Sequence, residues 1–168
     1  MFEKILVPLD GSKLGAKVLP TVVELAKTHN SQVTLIHSCH TADFGVGQVD
    51  SRIMEQIPAA EKKVCEAFLS QAGKELQGQG VKVDWVCVEG VPAREIISYA
   101  HRNKMDLICM ATHGKSEVGW ALGSTAARVM AHATVPVLLV RVMAFKPTPE
   151  WVEKASTFSH FDEEHWVP

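Results

Sequence analysis

Five short apolar runs without polar alternation set the tightest limit on what this chain can become: Ile5–Leu9, Val33–Ile36, Val83–Val88, Leu107–Ala111 and Val137–Val142. A strand with one wet face alternates apolar and polar residues, whereas a strand covered on both faces reads as a continuous run. Covered strands belong to parallel sheets in α/β domains. Segments of helical period lie between the runs. Val18, Leu19, Val22, Val23 and Ala26 share one face, with Pro20 expected to kink or weaken the first turns. Val64, Ala67, Phe68, Ala72 and Leu76 mark a second helix that ends near Gly78 and Gly80. Ile96, Ile97 and Ala100 mark a third, with Pro92 in its first turn. Leu122, Ala126, Val129, Met130 and Ala133 mark a fourth. The order is βαβ-loop-αβαβαβ, with right-handed crossovers expected.

At 168 residues and 46% hydrophobic content, the chain can bury one sizeable core. Residues 1–143 form the expected domain. Thr41–Met54 is long for a strand-to-helix connection and reads as a lid or Ω-loop. Residues 144–168 read as a tail or arm. Trp151, Phe158, Phe161 and Trp166 in it favour docking on the domain itself or on a partner subunit.

A net charge of −2 gives no basic footprint for nucleic acid and points to a small-molecule or protein partner. The first residues, MFEKILVPLDGS, turn polar too soon for a signal peptide, and no apolar run could cross a membrane. A cytoplasmic protein is expected. Cys39, Cys65, Cys87 and Cys109 form no CxxC pair and read as buried thiols in a reducing compartment. His160 and His165 with Asp162, Glu163 and Glu164 read as a solvated acidic tail, so no metal site is expected.

Ligands of open parallel sheets bind beyond the carboxyl ends of the strands, where the strand order reverses. The first run ends in Pro8-Leu9-Asp10-Gly11-Ser12 and the fourth in Met110-Ala111-Thr112-His113-Gly114. Asp10 can accept from a ribose hydroxyl or an adenine amine, or cap the first helix, while Ser12 reads mainly as a cap. Gly123-Ser124-Thr125 precedes the fourth helix, whose free amides and positive dipole end suit an anion. Ser124 could equally be a plain N-cap. Gly114 allows close backbone approach, and Lys115 can neutralise a phosphate or stay solvated. Gly114-Lys115-Ser116 imitates a Walker A ending, but that motif needs glycine where Cys109 stands. His37 and His113 are acid/base candidates, and His113 is the better polar contact.

ILVPLDGS at the start, EGVPAREII in the middle, MATHGKS after the fourth run and GSTAARVMAHATVPVLLVR near the end together resemble the universal stress protein family over residues 2–142. The resemblance implies a five-stranded parallel sheet, order 3-2-1-4-5, with helices on both faces, like the adenine nucleotide alpha hydrolases. It implies ATP or AMP, with or without Mg2+, as ligand, with Asp10 at the adenosine and Ser38 beside it through its backbone. The family's phosphate loop runs Gly-x2-Gly-x9-Gly-Ser/Thr. This chain departs from it twice, with Ala111 at the first glycine and only eight residues between Gly114 and Gly123. The expected nucleotide-binding set is Pro8, Leu9, Asp10, Ser38, Met110, Ala111, His113, Gly114, Lys115, Gly123, Ser124 and Thr125.

The expected function is regulatory nucleotide binding that signals through dimer and protein-partner contacts. No catalytic residue is assigned, and the family implies at most slow ATP hydrolysis. The alternative is a nucleotide-free dimeric interaction module in which the altered glycine loop is only scaffold. The homodimer is expected to form through the last strand, Val135–Val142, because a hydrophobic sheet edge needs covering.

Overall fold

The structure, a computed structural model, describes the backbone of residues 2–39, 51–113 and 122–142, with side chains throughout except at 51–59. The five apolar runs become five strands: β1 (Lys4–Pro8), β2 (Gln32–Cys39), β3 (Lys82–Glu89), β4 (Leu107–Ala111) and β5 (Val137–Val140). Every neighbouring pair is parallel, in the order β3-β2-β1-β4-β5. The helices are α1 (Leu19–His29), α2 (Ser51–Gly78), α3 (Pro92–Arg102) and α4 (Ser124–His132). The expected open sheet with helices on both faces is the fold of the chain.

Side chains two apart on a strand share a face, and that period sorts the core into two layers. Ile5, Val7, Leu35 and Cys109 pack with Val22 of α1 and Leu69 of α2. Leu6, Ile36, Ile108 and Met110 pack on the other face with Ile96 of α3 and Val129 of α4. The interior strand β4 is buried at every residue, while the edge strands β3 and β5 are only partly covered.

Several boundaries differ from the sequence reading. Pro20 does not kink α1: a 3-10 turn, Gly15–Val18, comes first, and Pro20 then sits in the first turn of α1, where its missing N–H is harmless. α2 begins at Ser51, so Ser51–Met54 belong to a helix rather than to the expected lid. Residues 41–50 and the tail 144–168 lie outside the described residues. The last strand is shorter than Val135–Val142, because Val135 and Pro136 precede the ladder and Arg141 and Val142 follow it. Pro136 still serves the sheet by accepting a hydrogen bond from the Ile108 amide at 3.0 Å.

The cysteine expectation also needs correction. Cys65 on α2 and Cys87 on β3 form a disulfide, with Cα atoms 6.3 Å apart. Packing α2 across β3 brings together two residues that sequence spacing leaves unrelated. Cys39 and Cys109 are free and buried, as expected. Burial pushes the Cys109 thiol up to about 12. Among the described residues, no helix is long and apolar enough to cross a membrane.

Candidate functional site

β1 lies between β2 and β4, so the chain leaves the carboxyl ends of β1 and β4 toward opposite edges of the sheet. This divergence opens a crevice. A cleft of about 270 Å3 occupies it, at the small end of the roughly 300–1,000 Å3 usual for ligand pockets. Pro8, Leu9 and Asp10 line it from β1, Ser38 from β2, and Met110, Ala111 and His113 from β4. Gly123, Ser124 and Thr125 line it from the start of α4. Gly114 and Lys115 of the expected set lie outside the described residues. His37, an acid/base candidate from the sequence, lines the cleft as well, whereas sequence reasoning left out Ile36, Thr112, Pro92 and Ile96, the last two an apolar wall supplied by α3. The EGVPAREII stretch held that signal, because Pro92 fixes where α3 begins and hence which of its side chains face the crevice.

Asp10 lines the site and anchors the turn after β1, but neither it nor Ser12 caps the first helix as expected: Leu14 and Val18 hold the N-cap positions of the 3-10 turn and of α1, and neither end has a side-chain cap. Its Oδ1 accepts from the Ser12 amide at 3.0 Å and from Ser12 Oγ at 2.7 Å. Ser12 Oγ in turn accepts from the Gly15 amide at 2.9 Å. This relay turns the chain from β1 into the 3-10 segment. A Cβ on Gly15 would stand 2.6 Å from Asp10 Oδ1, so glycine there is what lets the carboxylate hold its place.

Gly123, not Ser124, is the N-cap residue of α4, and no side chain caps this helix. Among the described residues no side chain caps the first amides of α4, whose residues line the cleft. Gly123 donates its amide to Thr112 O at 3.0 Å, clasping the base of the shortened glycine loop. A Cβ at Gly123 would sit 3.1 Å from that same oxygen, a tight contact that the backbone would have to ease by a few tenths of an ångström. Ala111 is the last residue of β4, paired with Val140 in the ladder. Its φ is not positive, so alanine in place of the family's first glycine brings no backbone strain. The loop itself, with Gly119 and Trp120, lies outside the described residues.

The remaining polar groups are tied down. His37 Nδ1 lies 2.6 Å from Leu9 O, and because a carbonyl only accepts, Nδ1 carries the proton. Ser38 Oγ donates to Gly90 O at 2.7 Å, holding the β3–α3 turn against the cleft. His113 is buried, with Nδ1 2.9 Å from Thr112 Oγ1. These contacts fix the orientation of the cleft's polar walls.

Sheet and cleft together define a doubly wound α/β protein with a ligand-sized crevice at its switch point. The chain belongs to the universal stress protein family, whose family model matches residues 1–141. It is similar to the universal stress protein MJ0531 of Methanocaldococcus jannaschii, 34% identical over 142 residues that cover 84% of this chain and 83% of that protein. The solved structure of MJ0577, from the same organism, superposes with a TM-score of 0.75 at 27% identity, covering 88% of this chain and 99% of that one. A universal stress protein solved in complex with cAMP superposes with a TM-score of 0.64 at 21% identity, covering 84% and 98%.

Proposed function

We propose that the cleft binds an adenine nucleotide, AMP or ATP, as a regulatory ligand, and that this chain acts through a cytoplasmic homodimer and its protein partners. The observation that carries the reading is the uncapped start of α4 opposite the Asp10 carboxylate across one cleft. Amides with a positive dipole end suit phosphate oxygens, and a fixed carboxylate suits ribose hydroxyls or the adenine amine. The apolar wall of Ile36, Pro92 and Ile96 suits the face of a base. A neighbour of the same fold was solved with cAMP, which makes an adenosine phosphate the first ligand to test.

The test is release of ligand from the purified protein by heat, followed by nucleotide chromatography and a thermal melt with millimolar ATP and AMP. Bound ligand raises the melting temperature, by about 2.7 kcal/mol of added stability at a hundredfold excess over Kd. Absence of co-released nucleotide together with an unmoved melt would reject the proposal.

One observation favours the competing reading of a nucleotide-free interaction module: Asp10 Oδ1 already serves Ser12 twice. Under that reading Asp10→Ala leaves partner capture intact while removal of residues 144–168 abolishes it. The opposite pattern favours the nucleotide.

A further inference from the structure

A second cluster of chemistry lies beside His37, between α2 and the β2–β3 pair. His37 and Cys39 stand two residues apart on β2 and so share a face, and His37 pairs with Cys87 of β3 in the parallel ladder. Cys65 reaches that face from α2 and is bonded to Cys87. A ring nitrogen of His37 and the Sγ atoms of Cys39 and Cys65 all lie within 4.8 Å of one another. Cys87 Sγ, bonded to Cys65, is not part of that group, so three donors gather and a fourth sulfur stands one bond beyond them.

We propose that the reduced protein binds one Zn2+ at His37, Cys39, Cys65 and Cys87, and that the Cys65–Cys87 disulfide is the form that excludes it. Thiolate and imidazole donors in a four-coordinate shell select zinc or a similar thiophilic ion. Around tetrahedral zinc, with Zn–S about 2.3 Å and Zn–N about 2.0 Å, donors sit roughly 3.5–3.8 Å apart. The three gathered donors therefore need a closure of about 1 Å, and reduction frees Cys87 Sγ to swing in as the fourth. Nδ1 of His37 gives its proton to Leu9 O, which leaves the lone pair on Nε2 for a metal. That hydrogen bond is the outer contact that usually fixes the ring of a ligating histidine.

Opening the site is a balanced exchange. A dithiol reductant attacks Cys87, which lines a surface groove with Lys62, Lys63 and Glu66. The S–S bond breaks, the mixed disulfide resolves on the reductant's second thiol, and Cys65 and Cys87 leave as thiols with the reductant's two protons. Zinc then displaces the protons of the three thiols into solvent as it binds their sulfurs.

The experiment titrates the full chain with Co2+ under nitrogen, once after reduction and once oxidised, and back-titrates with Zn2+. The reduced protein is expected to bind one equivalent, with thiolate-to-cobalt charge-transfer absorption and the intense visible bands of a tetrahedral site, and Zn2+ is expected to abolish both. The oxidised protein is expected to show neither. Cys39→Ser is expected to lose more than about 100-fold in affinity, beyond the 10–100-fold typical of outer-shell changes. Cys109→Ala, on a strand two places from β2, is expected to bind as the parent does. Reduced protein without the charge-transfer band, equal binding by the oxidised protein, or a Cys39→Ser variant of undiminished affinity would each overturn the proposal. Should Cys39→Ser fail to fold by circular dichroism, the two redox states of the parent decide it.

Discussion

At Asp10, a structural duty and a proposed ligand duty fall on the same carboxylate, and simple substitutions separate them. Removing the side chain with Asp10→Ala discards the two hydrogen bonds from Ser12, which is expected to destabilise the ligand-free protein by about 1 kcal/mol. Asp10→Asn keeps a carbonyl oxygen for those two donors and is expected to lose less than half as much, as read from urea unfolding midpoints. Gly15→Ala attacks the same carboxylate from behind, since its Cβ would lie 2.6 Å from Oδ1. Calorimetry is expected to show a roughly tenfold loss in ATP affinity, about 1.4 kcal/mol. The buried thiol of Cys109 gives a pH prediction. Its pKa rises from 9.0 to about 12 on folding, so the folded state holds its proton more tightly than the unfolded state. Its contribution is full below pH 9 and declines as pH climbs toward 12, by up to about 1.4 kcal/mol per pH unit. Thermal melts across that range should fall more steeply for the parent than for Cys109→Ala; parallel slopes would refute this.

At the scale of the element, α2 and β3 are fitted to each other through a glycine and a tryptophan. A Cβ at Gly73 would meet the Trp85 ring at 2.6 Å. Gly73→Ala offers about 1 kcal/mol in helix propensity, but overpacking of this kind typically takes 1–3 kcal/mol. A net loss of stability is expected in chemical denaturation, and a stabilised variant would show that the ring moves freely. The same packing explains why the disulfide was illegible. Nothing in the spacing of Cys65 and Cys87 says that α2 crosses β3 at that height. The start of α2 was hidden for a different reason: Pro58 lies within Ser51–Gly78, and proline inside a helix argues against the assignment that proved correct. Strand positions were legible because covered strands cannot hide their continuous apolar runs.

For the molecule as a whole, the sheet has two edges, and β5 leaves Leu138 exposed on one of them. The proposed homodimer covers that edge. Light scattering is expected to give twice the chain mass at micromolar concentration, and Leu138→Lys is expected to reduce it toward the monomer. A monomeric parent would remove the dimer from the proposal.

The sequence by itself determined the α/β class, the strand positions and most of the cleft lining. Hydrophobic periodicity and strand-end motifs are local properties that survive without knowing what packs on them. The order of the strands came through family likeness, and the sheet bears it out. Only the tertiary structure decided that Gly123 rather than Ser124 caps α4, that α3 walls the cleft, and that three cysteines gather beside His37. Each of these depends on how far apart two elements lie and how they are rotated. Those quantities are fixed by packing across the sheet, between residues that no window of sequence contains together.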